Sequence, residues 1–175
     1  MPTTLQEALD SLDKLPAPPR SKGRVTGLVI RPKKGERAVV DTLQLSPEKG
    51  IHGDRWGLRS HSTRNRQVSA IRSDVLHCLA GTTPPELSGD NLHLNLDLSV
   101  ALLPAGSLLQ VGEVLFRVSP EQHDPCGQFI ERFGRAAHDA TLDPAWLPKR
   151  GRGVLLEVVQ GGFIRVGDTA TPVPA

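Results

Sequence analysis

The sequence predicts a mainly β protein with a few helices, its strands closing into a barrel and one extra helix added at the N-terminus. Three observations carry this reading. Short apolar runs of alternating period recur along most of the chain. Glycine (17) and proline (15) are frequent enough to favour many turns over long helices. Helical spacing is confined to three separate stretches. A chain of 175 residues is long enough for one domain with a sizeable core and short for two.

Taken in order, residues 1–20 read as an N-terminal helix and a proline-rich linker, and residues 21–175 as the barrel domain. Leu5, Ala8, Leu12 and Leu15 fall on one helical face, Thr3 or Thr4 is placed to cap it, and Pro16-Ala17-Pro18-Pro19 ends it. Arg24 to Ile30 and Ala38 to Leu45 read as strands joined by the turn at Pro32-Lys33-Lys34-Gly35. Ser46 to Thr63 has no sustained period and reads as a long loop, the kind that carries function. Gln67 to Ile71 reads as a short strand, and Ser73 as the cap of a helix through Leu79. Leu92, Leu94, Leu96 and Leu98 alternate with polar residues, the period of a half-buried strand. Ser107 to Val111 and Glu113 to Val118 form a hairpin around Gly112. Val154 to Gln160 and Phe163 to Val166 suggest a second around Gly161-Gly162. Between the hairpins, Gln128 to about Ala140 has helical spacing.

Composition excludes several classes. Hydrophobic content of 38% with 23% charged residues is that of an ordinary globular domain. A net charge of +2 and the absence of tyrosine argue against a nucleic-acid partner. The basic residues are local instead: Arg55, Arg59, Arg64, Arg66 and Arg72 in one stretch, Lys149, Arg150 and Arg152 in another. Such patches suit a small anionic ligand, or else a solvated face. Two cysteines far apart, in no C-x-x-C pattern, give neither a disulfide framework nor a cysteine-rich zinc site. No apolar run follows a basic start, and Ser99 to Val111 is broken by Pro104 and Gly106. No membrane partner is expected, and the reducing cytoplasm is the expected address.

Cys126 has the most informative surroundings, His123-Asp124-Pro125-Cys126-Gly127, between a strand and a helix. A cysteine at a helix N-terminus feels the positive end of the peptide dipoles, which favours thiolate. His123 adds to that tendency when charged, and Asp124 opposes it. The alternative is a structural cysteine, the reading given to Cys78 within Val75-Leu76-His77-Cys78-Leu79. A second constellation runs through Gly50-Ile51-His52-Gly53-Asp54-Arg55 and Arg66-Gln67-Val68-Ser69, where glycines expose backbone N–H groups and arginines match phosphate oxygens. His52 is either a ligand-facing or a surface residue. Asn91, in Asp90-Asn91-Leu92, either completes a turn or reads a heterocycle edge. Dinucleotide, P-loop, zinc-protease and serine-hydrolase motifs are absent.

These pieces, in this order, resemble the MOSC family. The likeness continues through Gly89-Asp90-Asn91-Leu92, Leu103-Pro104-Ala105-Gly106-Ser107, Asp124-Pro125-Cys126, Arg152-Gly153-Val154 and Gly161-Gly162-Phe163-Ile164-Arg165-Val166-Gly167-Asp168, and spans roughly residues 24 to 170. The resemblance implies a MOSC-type β-barrel that binds a molybdenum-pterin cofactor, with Cys126 as metal ligand or sulfur carrier. It makes Arg55 and Arg66 candidates for the pterin phosphate, and His52, Gln67 and Asn91 candidates for the pterin and its dithiolene surroundings. Asp54 and Arg152, which lie in matching motifs, join the cofactor-binding set. It also brings a family association with pyridoxal phosphate binding. Gly89-Asp90-Asn91-Leu92 stands where the family commonly has Gly-Glu-Asn-Leu. The chain stops soon after Asp168, where the small bacterial reductases often continue into helices.

Three functions are implied, in this order. The first is a molybdenum-dependent oxidoreductase that reduces N-hydroxylated or related small molecules and takes electrons from an external donor. The second is a sulfur carrier that receives a persulfide on Cys126 from a cysteine desulfurase. The third is a non-catalytic anion-binding module.

Overall fold

The computed structural model describes residues 1–58 and 63–174. Arg59, one of the expected basic cluster, and the last part of the Ser46 to Thr63 loop lie outside the described residues.

The strands are β1 (Gly23–Ile30), β2 (Ala38–Val40), β3 (Thr42–Ser46), β4 (Gly50–Ile51), β5 (Val68–Arg72), β6 (Leu92–Asn95), β7 (Leu108–Val111), β8 (Val114–Val118), β9 (Val154–Gln160), β10 (Gly162–Arg165) and β11 (Thr169–Val173). The helices are α1 (Leu5–Asp13), α2 (Ser73–Ala80) and α3 (Gly127–Leu142). Seven strands close a barrel in the order β11-β7-β8-β9-β5-β6-β1, and β1 returns to β11 through the pairs Gly23↔Ala170 and Arg24↔Thr169. Closure leaves no unpaired edge around the ring. The C-terminal half of β1 also carries β2. Pairing is antiparallel except between β5 and β6, where Ala70 lies opposite Leu92. A parallel pair needs a crossover, and α2 supplies it.

The core has two parts. The barrel is filled by apolar side chains including Leu28, Val68, Leu94, Val111, Phe116 and Leu156. Leu92, Leu94, Leu96 and Leu98 are all fully buried, although β6 itself ends at Asn95. A second apolar layer joins α1, α2 and α3 outside the barrel, with Ala8, Leu12, Leu76, Leu79, Phe133 and Trp146 at its centre. Thr4 caps α1 in a reciprocal capping box with Glu7. Of the expected helical face, Ala8 and Leu12 are buried, whereas Leu5 is exposed beyond the reach of this layer.

Four local expectations are corrected. Ala38 to Leu45 is two strands, broken at Asp41, because Val39 pairs with β1 while Leu43 and Leu45 pair with β10 and β4 in a separate three-stranded sheet. Gly161-Gly162 does not turn a hairpin. β9 pairs with β5 and β8, whereas β10 pairs with β3, so the glycines mark the crossing from barrel to second sheet. A Cβ on Gly161 would sit 2.4 Å from the Leu45 carbonyl oxygen, which explains the small residue there. The Ser46 to Thr63 loop contains β4 and a 3₁₀ turn at Arg55–Leu58. Ser73 is the first residue of α2, and its hydroxyl hydrogen-bonds Thr26, 2.6 Å away. The hairpin around Gly112 forms as expected, with Val111 opposite Val114.

Candidate functional site

Cys126 occupies the N-cap of α3. Its carbonyl receives the first helical hydrogen bond, from Phe129 N–H at 2.8 Å, while its side chain makes no cap bond and is exposed. Proline before it and glycine after it bring the chain from extended to helical backbone within one residue. The thiol therefore stands at the end of a helix, beside backbone N–H groups that have no intrahelical acceptor. Cys78 differs: it is half-buried, and burial, assisted by the Asp74 charge, pushes its thiol up.

The exposed sulfur shares a cleft of about 380 Å³ with six arginines, Arg31, Arg37, Arg55, Arg66, Arg132 and Arg152. Among the described residues, Asp124 is the one acidic residue on its wall. Two of the arginines are pinned from behind by buried carboxylates. Arg31 directly follows β1 and forks onto Asp54, Nε to Oδ2 at 3.0 Å and Nη2 to Oδ1 at 3.1 Å. Asp54 also accepts the Arg31 and Trp56 backbone N–H groups. Burial pushes the Asp54 carboxyl up, but the hydrogen bonds and charge of Arg31, with these N–H groups, hold it below its ordinary value. Arg152 enters from the strand side and donates through Nη1 to Asp90 Oδ2 at 2.7 Å. Its guanidinium lies 4.8 Å over the Phe129 ring. Asp90 is fully buried, which pushes its carboxyl up, but the charge and hydrogen bond of Arg152, with the neighbouring His123 and His93, together hold it below its ordinary value.

Arg37 and Arg132 have no such carboxylate. Arg37 donates to the Glu36 carbonyl and Arg132 to the Leu87 carbonyl, both neutral acceptors. Burial, then the charges of Arg132, Arg55 and Arg31, lower the Arg37 pKa, the mark of crowded cations. Its Nε is buried with no partner among the described residues. Arg66 pairs with Glu121 at the rim. The cleft thus holds more positive charge than its own carboxylates neutralise.

His123 also lines the cleft, its Nδ1 3.7 Å from Asp90 Oδ1. Burial and the neighbouring Arg152 push its pKa down to about 3 against the opposing pull of Asp90, so the imidazole is neutral.

Of the residues singled out in the sequence, Cys126, Arg55, Arg66 and Arg152 meet in this cleft. Asp54 and Asn91 stand behind it. Asn91 is fully buried, donates to the Val29 carbonyl and to Asp54, and accepts from Ser69 N–H, so its amide is committed within the protein. Gln67 is likewise buried, donating to the Pro47 carbonyl and accepting from Val158 N–H. His52 lines a separate hollow of about 340 Å³ with Lys49 and Leu58. Arg31, Arg37 and Arg132 were not singled out, because each is an ordinary charged residue in its own segment and only the fold assembles them.

A family model for the MOSC domain matches residues 57–171. The chain belongs to the MOSC domain family. The family is associated with molybdenum cofactor binding. Solved structures show the same fold. The YuaD protein from Bacillus subtilis superposes with a TM-score of 0.63 at 19% identity, over 85% of this chain and 94% of that one. YiiM from Escherichia coli gives 0.57 at 23%, over 87% and 70%. YiiM from Geobacillus stearothermophilus gives 0.52 at 16%, over 87% and 75%. No curated protein sequence matches the chain.

The cleft of this MOSC domain fits such a cofactor in three respects. Its volume lies in the range of small-molecule sites, its arginines without a carboxylate partner, Arg37 and Arg132, suit a phosphate, and its exposed thiol suits a soft metal. Among the described residues no group of three His, Cys, Asp or Glu side chains is placed to hold a metal ion by protein ligands alone. No helix among them is long and apolar enough to cross a membrane.

Proposed function

We propose that this MOSC domain holds the molybdenum-pterin cofactor in the arginine-lined cleft, with Cys126 as the protein ligand to the metal, and reduces small N-hydroxylated molecules. The observation that carries this reading is the exposed Cys126 thiol on the same cleft wall as six arginines. When bound, the cofactor supplies the two-electron redox chemistry, with electrons from an external donor. The chain's own residues bind and orient. Arg37, Arg55 and Arg132 receive the anionic end, Asp54 and Asp90 fix Arg31 and Arg152 at the wall, and Phe129 supports the Arg152 plane. A reducing cytoplasm suits the two free thiols.

A second reading is favoured by the same exposed and unbonded sulfur. As a carrier, the Cys126 thiolate attacks the terminal sulfur of a desulfurase persulfide, forms its own persulfide and releases the desulfurase thiolate.

The deciding experiment is elemental analysis for molybdenum and tungsten on protein gently purified from a cofactor-competent host, beside its Cys126→Ser variant. Metal retained by the wild type and lost from the variant supports the first reading. No metal, with a gain of one sulfur on Cys126 after incubation with a desulfurase, moves the assignment to the second. Neither result, with phosphate esters still bound, leaves an anion-binding module.

A further inference from the structure

A second and larger concavity, about 550 Å³, adjoins the arginine cleft and shares Gln122, His123 and Arg152 with it, so that these side chains form the partition. Its chemistry is different. Val100 and Leu147, both among the exposed large apolar residues, stand on its wall with three prolines, Pro120, Pro144 and Pro148. Proline rings fix the backbone and carry no N–H, so this wall is rigid and has few donors. Val100 N–H donates to the Pro148 carbonyl at 2.9 Å, tying two sides together.

The turn over the cavity is held under strain. Arg150 is the one non-glycine residue with positive φ among the described residues, at 53°. Such a conformation costs about 1–3 kcal/mol and persists where the surroundings enforce it. Its guanidinium donates to the Leu103 carbonyl at 2.7 Å and the Leu98 carbonyl at 3.1 Å, clamping the turn to the barrel.

Arg152 on this wall is paired with Asp90 and Glu121 with Arg66, while Arg150 keeps its charge, since both of its acceptors are neutral carbonyls. A cationic ligand would lose its hydration here and find no unpaired carboxylate. Ser119, Gln122 and His123 keep hydrogen-bonding capacity. Ser119 Oγ accepts from Glu121 N–H and keeps its own proton to donate. His123 is neutral, so one of its two ring nitrogens is a hydrogen-bond acceptor.

We propose that this cavity is a binding site for a largely apolar small molecule without positive charge, carrying an O–H or N–H donor that His123 accepts. The site stands whether or not the neighbouring cleft holds a cofactor. Where it does, His123 brings the donor end of the bound molecule to the wall that Cys126 also lines.

The test is titration of the protein, labelled with nitrogen-15, with 2-naphthol, naphthalene and 2-naphthylmethylamine, which is an ammonium ion at neutral pH. For 2-naphthol the expected result is saturable shifts of the Val100, Ala105 and Gly153 amides, with Kd tighter than about 1 mM. The ammonium ion is expected to bind there at least tenfold more weakly. Ala105 is exposed on the rim, so Ala105→Trp blocks the cavity at little cost to the fold and weakens 2-naphthol at least tenfold. His123→Phe removes the preference for 2-naphthol over naphthalene while leaving naphthalene bound. The proposal is overturned by the absence of saturable shifts at these amides, by equal affinity for the ammonium ion, or by unchanged affinity in Ala105→Trp.

Discussion

Arg152 and Asp90 form an ion pair that is almost wholly out of water, 2.7 Å from Nη1 to Oδ2, with exposures of 7% and 0%. Removing one partner strands the other as a buried charge, whereas removing both does not. Asp90→Asn and Arg152→Met are each expected to destabilise the protein by about 3–5 kcal/mol. The double variant should recover a large part of that loss. Urea denaturation of the four proteins in a double-mutant cycle measures the coupling.

The two cysteines should separate kinetically. Cys126 is exposed at a helix N-terminus, while Cys78 is half-buried with its thiol pushed up. A chromogenic disulfide reagent at neutral pH is expected to titrate one fast and one slow thiol per chain. Cys126→Ser removes the fast phase alone.

Unneutralised arginines predict anion binding that falls with salt. Phenyl phosphate should raise the Tm of the cofactor-free protein at low ionic strength, and the rise should shrink as salt screens the cleft. Arg37→Met, which deletes a guanidinium without a carboxylate partner, should weaken binding about tenfold, in line with a charged hydrogen bond of about 1.5–3 kcal/mol. Calorimetric titration reads the change directly.

Buried neutral histidine makes the fold acid-sensitive. The folded pKa of His123, about 3, lies below the ordinary 6.5, so the unfolded chain takes up the proton first. Its contribution is complete above pH 6.5 and is lost progressively as pH falls toward 3. Between pH 8 and pH 5 the loss from this residue should be about 2 kcal/mol. His93 shifts in the same direction, mainly through burial, and adds to it. Denaturation midpoints across this range should flatten in His123→Gln.

Gly153, on the chain between Arg152 and β9, has φ of 94°, and a Cβ there would lie 2.2 Å from the Ala70 carbonyl oxygen. Gly153→Ala must therefore displace β5 or β9 and should destabilise by more than about 2 kcal/mol. Thermal denaturation checks it.

Much of the architecture was legible. The alternating leucines from Leu92 to Leu98 do point into the core, and the turn at Gly112 does close a hairpin. Other features depend on where strands meet. Gly161-Gly162 has the composition of a tight turn, but the same residues serve where a chain must pass close to another backbone, here at Leu45. Ala38 to Leu45 is apolar throughout, and nothing local says that its halves join different sheets. At the site, the neighbours of Cys126 marked it as the start of a helix, and it is exposed there. Arg31, Arg37 and Arg132 come from three segments distant in sequence, and barrel closure and helix packing bring them together. Asn91 and Gln67 were recognisable as special but not as inward-facing, because a polar residue's direction depends on the strand beside it.

The helix that begins at Cys126 is not one rod. At Gly134 the backbone leaves helical geometry, with φ of 82° and ψ of 162°, and the second half sets off anew, with Ala137 and Ala140 in the apolar layer with α1 and α2. Both halves pack on the outer helices, through Phe129 and Phe133 in one and Ala137 and Ala140 in the other, and only the first also reaches the cleft, at Cys126, Phe129 and Arg132. Open space surrounds Gly134, so a methyl group there would collide with nothing. It would instead oppose the left-handed bend. A straightened α3 cannot keep both ends in place, so the address of the sulfur is written in a residue that never approaches it.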